Sequence, residues 1–178
     1  MGMSKKTMNE VITKITTQLQ QIDFVFSQKP IVIGGMAMEY YGIRKAGDDI
    51  DLVICDADYQ RLSQLHPDNR KDIYGDLGVV IEPFEIWRSI SLLGYDFYKT
   101  EAIEFEKLKM LSFDRLFLTR VFAMEIEKYM NDLELMREHC YTNFRNNDFL
   151  AESAQHIPSY EKFNGVIFGG KYEDDVTQ

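Results

Sequence analysis

The chain has 178 residues and a mass of 20.9 kDa, which allows one compact domain with an appendage but excludes two full enzymatic domains. Apolar residues make up 45% and charged residues 28%, so the composition excludes a globally disordered chain. The formal net charge of −9 at pH 7 repels polyanions and argues against nonspecific coating of nucleic acid.

The two cysteines, Cys55 and Cys140, lie far apart, and no metal-ligand spacing surrounds them. The N-terminal residues do not contain the apolar core of a secretory signal peptide. The longest uncharged apolar run is far shorter than the ~20 residues that span a bilayer. We therefore expect a reduced, cytoplasmic protein that has no membrane partner.

The first part of the chain is predicted to form a helix, a strand, a turn and a second helix. Apolar residues recur at three- and four-residue steps over residues 7–26, which predicts an amphipathic helix that covers a sheet. The apolar run at residues 30–33 predicts a strand buried on both faces. Gly34 and Gly35 then predict a tight turn, and residues 36–41 predict a short helix.

The next segment is predicted to form a strand and a helix. Residues 49–54 alternate acidic with apolar side chains and then become fully apolar, which predicts a strand that enters the core from an exposed end. Residues 56–65 predict a helix, with Asp56 as its N-cap and Pro67 just beyond its end.

The middle of the chain is predicted to be rich in strands. Residues 69–78 are polar and contain two glycines, which predicts a loop or a hairpin. Residues 79–87 predict a third strand, in which Pro83 indicates an edge position or a bulge. A further short strand is predicted within residues 102–111.

The last part is predicted to be helical and then irregular. Ser112 is a predicted N-cap, because the apolar residues that follow it fall on one helical face. Residues 129–140 continue as another helix. Beyond residue 143 the helical pattern gives way to Asn146-Asn147, Gly165, Gly169-Gly170 and Glu173-Asp174-Asp175, so we expect residues 143–178 to form an irregular tail.

Two acidic residues mark the start of the second predicted strand. Asp49 and Asp51 are two residues apart, so they point to the same face with their side chains about 7 Å apart. A divalent cation bound between them turns their repulsion into binding energy, and Mg²⁺ prefers such oxygen ligands together with waters and substrate phosphates. Gly34 and Gly35 have no side chains, so a phosphate can approach their backbone N–H groups.

These residues resemble the signature of the nucleotidyltransferase superfamily, whose fold is that of DNA polymerase beta. Within it, the chain is most similar to small bacterial members akin to abortive-infection toxin nucleotidyltransferases and to minimal nucleotidyltransferases. The similarity covers roughly residues 5–140, and it is carried by residues 34–37 (GGMA), 42–45 (GIRK) and 49–52 (DIDL), with weaker similarity in residues 105–112 (FEKLKMLS), 116–120 and 128–133.

The resemblance implies an α/β (α+β) nucleotidyltransferase fold, in which helices flank a short mixed sheet and a helical C-terminal half follows. Residues 1–100 would form the nucleotidyltransferase core, residues 101–142 a helical extension packed on that core, and residues 143–178 the irregular tail. The chain has Gly47 where many members of the family carry threonine or serine before the first acid, and Arg120 where they carry lysine in the helical half.

The resemblance also implies a metal-dependent transfer of a nucleoside monophosphate from a nucleoside triphosphate to a hydroxyl or amine acceptor, such as an RNA end, a protein or a small molecule. Asp49 and Asp51 would hold one or two Mg²⁺ ions. The third catalytic carboxylate would be Glu85 or Glu82, and we favour Glu85 because a bulge at Pro83 would displace Glu82. The nucleotide-binding residues would be Gly34, Gly35, Arg44, Lys45 and Arg120.

Other interpretations remain open at this point. Arg44 and Lys45 also fit a solvated pair at a helix end. Arg120 lies on an otherwise apolar face and needs a partner, which is either a ligand phosphate or a core carboxylate such as Asp132. At the level of function, the alternative is a non-catalytic nucleotide-binding protein or a toxin–antitoxin partner with a degenerate nucleotidyltransferase fold.

Overall fold

The computed structural model describes residues 5–144, and within them a mixed sheet of seven strands organises the chain. The described residues up to 137 belong to one compact unit, whereas residues 138–144 are the end of the last helix and belong to a second unit. The strands of this sheet are β1 (Ile31–Val32), β2 (Ile50–Val53), β3 (Arg70–Ile73), β4 (Asp76–Ile81), β5 (Phe84–Trp87), β8 (Ile103–Glu104) and β9 (Lys109–Met110). Their order across the sheet is β3-β4-β5-β2-β1-β9-β8.

Six α-helices, one 3-10 helix (Pro67–Asn69) and one short hairpin complete the elements of the described residues. The hairpin forms a separate two-stranded sheet, β6 (Ser89–Ile90) with β7 (Leu93–Gly94). The helices are α1 (Lys5–Leu19), α2 (Gly34–Tyr40), α3 (Asp56–Leu65), α4 (Tyr95–Tyr98), α5 (Phe113–Phe122) and α6 (Glu127–Phe144). The predicted mixed α/β class is therefore confirmed. None of the helices in residues 5–144 combines the length and apolarity needed to cross a bilayer.

The central strands confirm the sequence pattern. Both residues of β1 are fully buried, as expected of an apolar strand covered on two faces. Strand β2 lies in the middle of the sheet, antiparallel to β1 and parallel to β5. The core is built from these strands and from the buried faces of the helices, with Ile15, Met36, Leu62 and Leu116 among its buried side chains.

The prediction of one strand over residues 79–87 is wrong. The structure divides this segment into β4 and β5, which are antiparallel neighbours joined at the cis Glu82–Pro83 peptide. Pro83 therefore occupies the connection between two strands, where its missing N–H costs no ladder hydrogen bond, and not an edge or a bulge. The predicted hairpin at residues 69–78 is confirmed, since β3 pairs with β4 through a turn at Tyr74 and Gly75, both with positive φ.

Several helix boundaries differ from the predictions. Helix α1 ends at Leu19, earlier than the predicted residue 26, and α2 begins at Gly34 rather than after a separate turn. Helix α3 has the predicted range, but Cys55 occupies its N-cap position and Asp56 is its first residue. Ser112 caps α5 as predicted, because its side chain accepts a hydrogen bond from the Arg115 N–H.

The C-terminal part is only partly within the described residues. Residues 102–111 contain two short strands, β8 and β9, where one was predicted. Helix α6 is longer than the predicted residues 129–140 at both ends. The hairpin β6–β7 and helix α4 were not predicted. The expected irregular tail lies outside the described residues from residue 145 onward.

A buried carboxylate ties the segment after α1 to helix α3. Asp58 is fully buried, and it accepts hydrogen bonds from the Ser27 N–H at 2.8 and 3.0 Å and from the Gln28 N–H at 3.3 Å. The Cys55 thiol donates to it at 3.3 Å, and the Arg61 guanidinium at 3.2 Å. Buried polar groups need such partners, so Asp58 fixes the connection that leads into β1.

We expect Asp58→Ala to lower the free energy of unfolding by about 1–3 kcal/mol, because it removes the buried acceptor of the Ser27 and Gln28 N–H groups and of the buried Cys55 thiol. The matched control is Asp56→Ala, which removes a carboxylate whose side chain is 67% exposed and is paired with Arg88. Its cost should stay below about 1 kcal/mol, as for other surface ion pairs. Urea unfolding of both variants measures the difference, and equal costs would contradict this role of Asp58.

Candidate functional site

Three carboxylates lie at one end of the central strands. Asp51 is the second residue of β2 and stands in register with Glu85, the second residue of the parallel strand β5. Asp49 lies just before β2 and is exposed to solvent. The Ile33 N–H donates to the Asp51 carbonyl at 3.0 Å, which holds the end of β1 beside the same point. Because parallel strands start at the same edge of a sheet, the predicted acids Asp49, Asp51 and Glu85 are brought together.

The glycine bend lies directly against Asp51. Gly34 has a φ of +61°, and a Cβ placed on it would lie 2.2 Å from Asp51 Oδ2. A side chain at position 34 is therefore excluded by both the backbone conformation and the neighbouring carboxylate. Gly35 is less constrained, since a Cβ there would lie 3.7 Å from Ala46 Cα. The structure thus places the bend beside the acid, as the sequence pattern predicts.

The surroundings of Asp51 raise the pKa of its carboxyl group. Burial, followed by the charges of Asp49 and Glu85, raises its pKa from 3.8 to about 6. A hydrogen bond from Trp87 Nε1 to Asp51 Oδ1, at 3.4 Å, and the charge of Arg120 lower the pKa in part. When Asp51 is ionised, its negative charge therefore lies on a poorly solvated carboxylate. Such carboxylates are typical of functional sites.

Glu85 has a cationic partner on a neighbouring strand. Lys71 Nζ, on β3, donates to Glu85 Oε1 at 2.9 Å and lies 5.2 Å from the centroid of the Trp87 ring. A Cβ on Gly78 would lie 2.7 Å from Trp87 Cε3, so only glycine leaves room for the ring at that position of β4. The third carboxylate is therefore directed toward an ammonium group.

The other predicted acid, Glu82, is exposed in the turn before β5 and is not among the charges that act on Asp51. Glu85 is among them. Of the predicted basic residues, Lys45 is exposed, and its carbonyl accepts a hydrogen bond from Arg44 Nη1 at 3.0 Å.

The two predicted arginines converge on one buried carboxylate. Asp132 on α6 is only 2% exposed. It accepts from Arg44 Nε at 2.6 Å, from Arg44 Nη2 at 3.0 Å and from Arg120 Nε at 2.9 Å. Of the two partners that the sequence left open for Arg120, the structure shows the core carboxylate of Asp132, and the hydrogen bond that Arg44 donates to Asp132 raises the pKa of Arg44. Two guanidinium groups on one carboxylate leave a surplus positive charge, which acts on Asp49 and Asp51.

The carboxylates of the site fit a cation that takes most of its ligands from water and substrate. Within residues 5–144 there is no group of three or more histidine, cysteine or acidic side chains arranged to hold a metal ion. Asp49 and Asp51 could nevertheless offer two hard oxygen ligands, and Mg²⁺ commonly binds through one or two carboxylates with waters and substrate phosphates completing its shell. The third carboxylate, Glu85, is engaged by Lys71.

Three residues of the site were not predicted to have these roles from the sequence. They are Lys71, Trp87 and Gly78. Gly78 was assigned to a polar loop, although a glycine inside a strand is itself a signal of close approach by another group. Gly78 was not recognised as a strand residue, because the predicted boundary between residues 69–78 and 79–87 falls inside β4.

Comparisons of the chain with protein-family models, with curated proteins and with solved structures found no match.

We expect Gly34→Ala to lower the free energy of unfolding by about 2–4 kcal/mol, because the new methyl group meets the Asp51 carboxylate and the backbone is left-handed. Gly35→Ala is the matched control. Its methyl group has room, and alanine suits a helix better than glycine, so stability should be unchanged or rise by up to about 1 kcal/mol. The measurement is the free energy of chemical unfolding of both variants. If Gly34→Ala is as stable as the wild type, the close approach of Asp51 to Gly34 is refuted.

Asp51→Asn should stabilise the protein at neutral pH. The folded chain keeps a proton on Asp51 up to about pH 6, whereas the unfolded chain loses it near 3.8, so the free energy of unfolding falls as pH rises between these values. The ionised carboxylate then costs on the order of 1–3 kcal/mol, which asparagine removes. Urea unfolding should show a large advantage of the variant near pH 8 that shrinks near pH 4. An advantage independent of pH would contradict the raised pKa.

Proposed function

We propose that this chain is a metal-dependent nucleotidyltransferase that transfers a nucleoside monophosphate from a nucleoside triphosphate to a hydroxyl or amine acceptor. The acceptor class includes an RNA end, a protein side chain and a small molecule. The observation that carries the proposal is the contact of the Gly34 bend with Asp51, beside Asp49 and Glu85. In the nucleotidyltransferase fold that the sequence resembles, the bend and the paired acids are the parts that meet the triphosphate and its cation.

The acidic group supports a role for Mg²⁺. When bound, the cation would neutralise charge on the phosphates and on the leaving pyrophosphate. Asp49 and Asp51 are assigned as its ligands, because their mutual repulsion is relieved by a divalent cation. Glu85 supplies the third carboxylate, either for a second cation or as the base that takes the proton of the acceptor.

Backbone and basic groups near the acids support binding of the triphosphate. The first N–H groups of α2, at Gly34 and Gly35, precede the intrahelical hydrogen bonds and can donate to a phosphate oxygen. The surplus positive charge of Arg44 and Arg120 acts on the same region. Lys45, exposed next to Arg44, can add a contact with the outer phosphates.

The proposed step is an in-line displacement at the α-phosphorus. The acceptor oxygen or nitrogen forms a bond to this phosphorus, the bond to the bridging oxygen of the β-phosphate breaks, and pyrophosphate leaves with that electron pair. The proton of the acceptor passes to a carboxylate of the acidic group. Most of the rate would come from positioning and from electrostatic stabilisation of the phosphoryl oxygens.

A non-catalytic nucleotide-binding protein with the same fold is the second candidate. The engagement of Glu85 by Lys71 favours it, because the third carboxylate is then held by a cation of the protein itself. The two candidates differ in turnover and agree in binding. If Mg²⁺ with a nucleoside triphosphate raises the melting temperature while no acceptor yields product, the second candidate is correct.

We expect Asp49→Asn and Asp51→Asn each to reduce Mg²⁺-dependent transfer by about 100-fold or more, because each removes a carboxylate that positions the cation. The matched control is Asp48→Asn, which changes the neighbouring exposed acid and should keep transfer unchanged. The measurement is incorporation of labelled nucleoside triphosphates into RNA, host protein and small hydroxyl or amine compounds. Full transfer by either single variant, or equal loss in the control, would refute the assignment.

A further inference from the structure

An ion pair crosses the sheet beside the acidic group. Lys71 on β3 is in register with Gly78 on β4, and Gly78 is in register with Trp87 on β5. Side chains that are directly opposite each other share a face of the sheet, and residues two apart on a strand do so as well. Lys71, Trp87 and Glu85 therefore project from the same face, on which Asp51 also lies next to Glu85.

The missing side chain at Gly78 makes this pair possible. The Trp87 ring fills the space above Gly78, and the Lys71 ammonium lies over that ring at 5.2 Å from its centroid. From there it reaches Glu85 Oε1 at 2.9 Å. The Lys71 side chain is 36% exposed and the Glu85 side chain 29%, so water has access to both partners. An ion pair of this kind can be broken at small cost.

We propose that Lys71 is a positioning residue that occupies Glu85 until a divalent cation binds and is then displaced from it. This inference rests on the proposed function, in which Asp49 and Asp51 hold the cation. Glu85 is in register with Asp51 on the adjacent parallel strand, so it also lies within range of a cation held there. The cation attracts Glu85 and repels the Lys71 ammonium, and both forces act against the pair.

The competition has a consequence for affinity. Part of the binding energy of the cation is spent on separating Lys71 from Glu85. Removal of the ammonium should therefore tighten cation binding, whereas removal of Glu85 should weaken it and also abolish the effect of Lys71. A lysine that only stabilises the sheet would not show this dependence on Glu85.

The chain offers a direct readout of the site, because Trp87 is its single tryptophan and its Nε1 lies 3.4 Å from Asp51 Oδ1. Tb³⁺ bound at Asp49 and Asp51 would be sensitised by excitation of this indole, and Mg²⁺ would displace it. The experiment titrates Tb³⁺ into the full chain at physiological ionic strength, with the variants Lys71→Met, Lys71→Arg and Glu85→Gln. Arg70→Met is the control for charge alone, since Arg70 Nε donates to the Ser63 carbonyl.

Lys71→Met should lower the half-saturating Tb³⁺ concentration by about two- to fivefold, because that fold-change corresponds to the free energy of a part-exposed ion pair. Lys71→Arg keeps the pair and should bind Tb³⁺ as the wild type does. Arg70→Met should have no effect beyond a small change from net charge. In the Glu85→Gln background, Lys71→Met should change nothing.

Two results would overturn the inference and leave the proposed function standing: equal Tb³⁺ affinity of Lys71→Met and wild type, or tighter binding that persists in the Glu85→Gln background. In both cases Asp51→Asn would still abolish the sensitised emission. If wild type and Asp51→Asn give the same emission, the cation site itself fails, and the inference fails with it.

Discussion

A carboxylate oxygen of Asp51 lies where a side chain on Gly34 would stand, and the rest of the site depends on this close approach. The contact is possible because β1 and β2 are antiparallel neighbours and the chain turns into α2 directly after β1. It keeps water away from Asp51, and burial is the largest cause of its raised pKa. The bend that would receive phosphate and the acid that would receive a cation are therefore one structural unit.

Two sets of basic residues carry the positive charge around Gly34 and Asp51. On one side, Lys71 neutralises Glu85 through an ion pair that is open to water. On the other side, Arg44 and Arg120 share the buried Asp132, which fixes their positions without cancelling their charge. Lys71 and the two arginines thus all act on the carboxylates, an arrangement suited to a ligand that brings a cation together with phosphates.

Contacts between segments that lie close together in the sequence were predicted best. Gly34 and Asp51 could be placed together because an apolar strand, a glycine bend and an acidic strand start follow one another within a few dozen residues. The buried pair of Arg120 was predictable since a charge on an apolar face requires a partner. The ion pair of Lys71 with Glu85 depends on the register of β3, β4 and β5. That register could not be predicted, because the sequence pattern of residues 79–87 predicts a single strand that includes Pro83. Short elements without periodicity, such as β6, β7 and α4, left no pattern to detect.

The most direct test of the central claim is pulsed electron–nuclear double resonance on the full chain with Mn²⁺ and a non-hydrolysable nucleoside triphosphate. If Asp49 and Asp51 hold a cation that also contacts the triphosphate, the Mn²⁺ signal will show phosphorus hyperfine coupling, and the coupling will be lost when both acids are changed to asparagine. A protein-bound Mn²⁺ without phosphorus coupling, or coupling that is the same in the doubly substituted chain, would contradict the account.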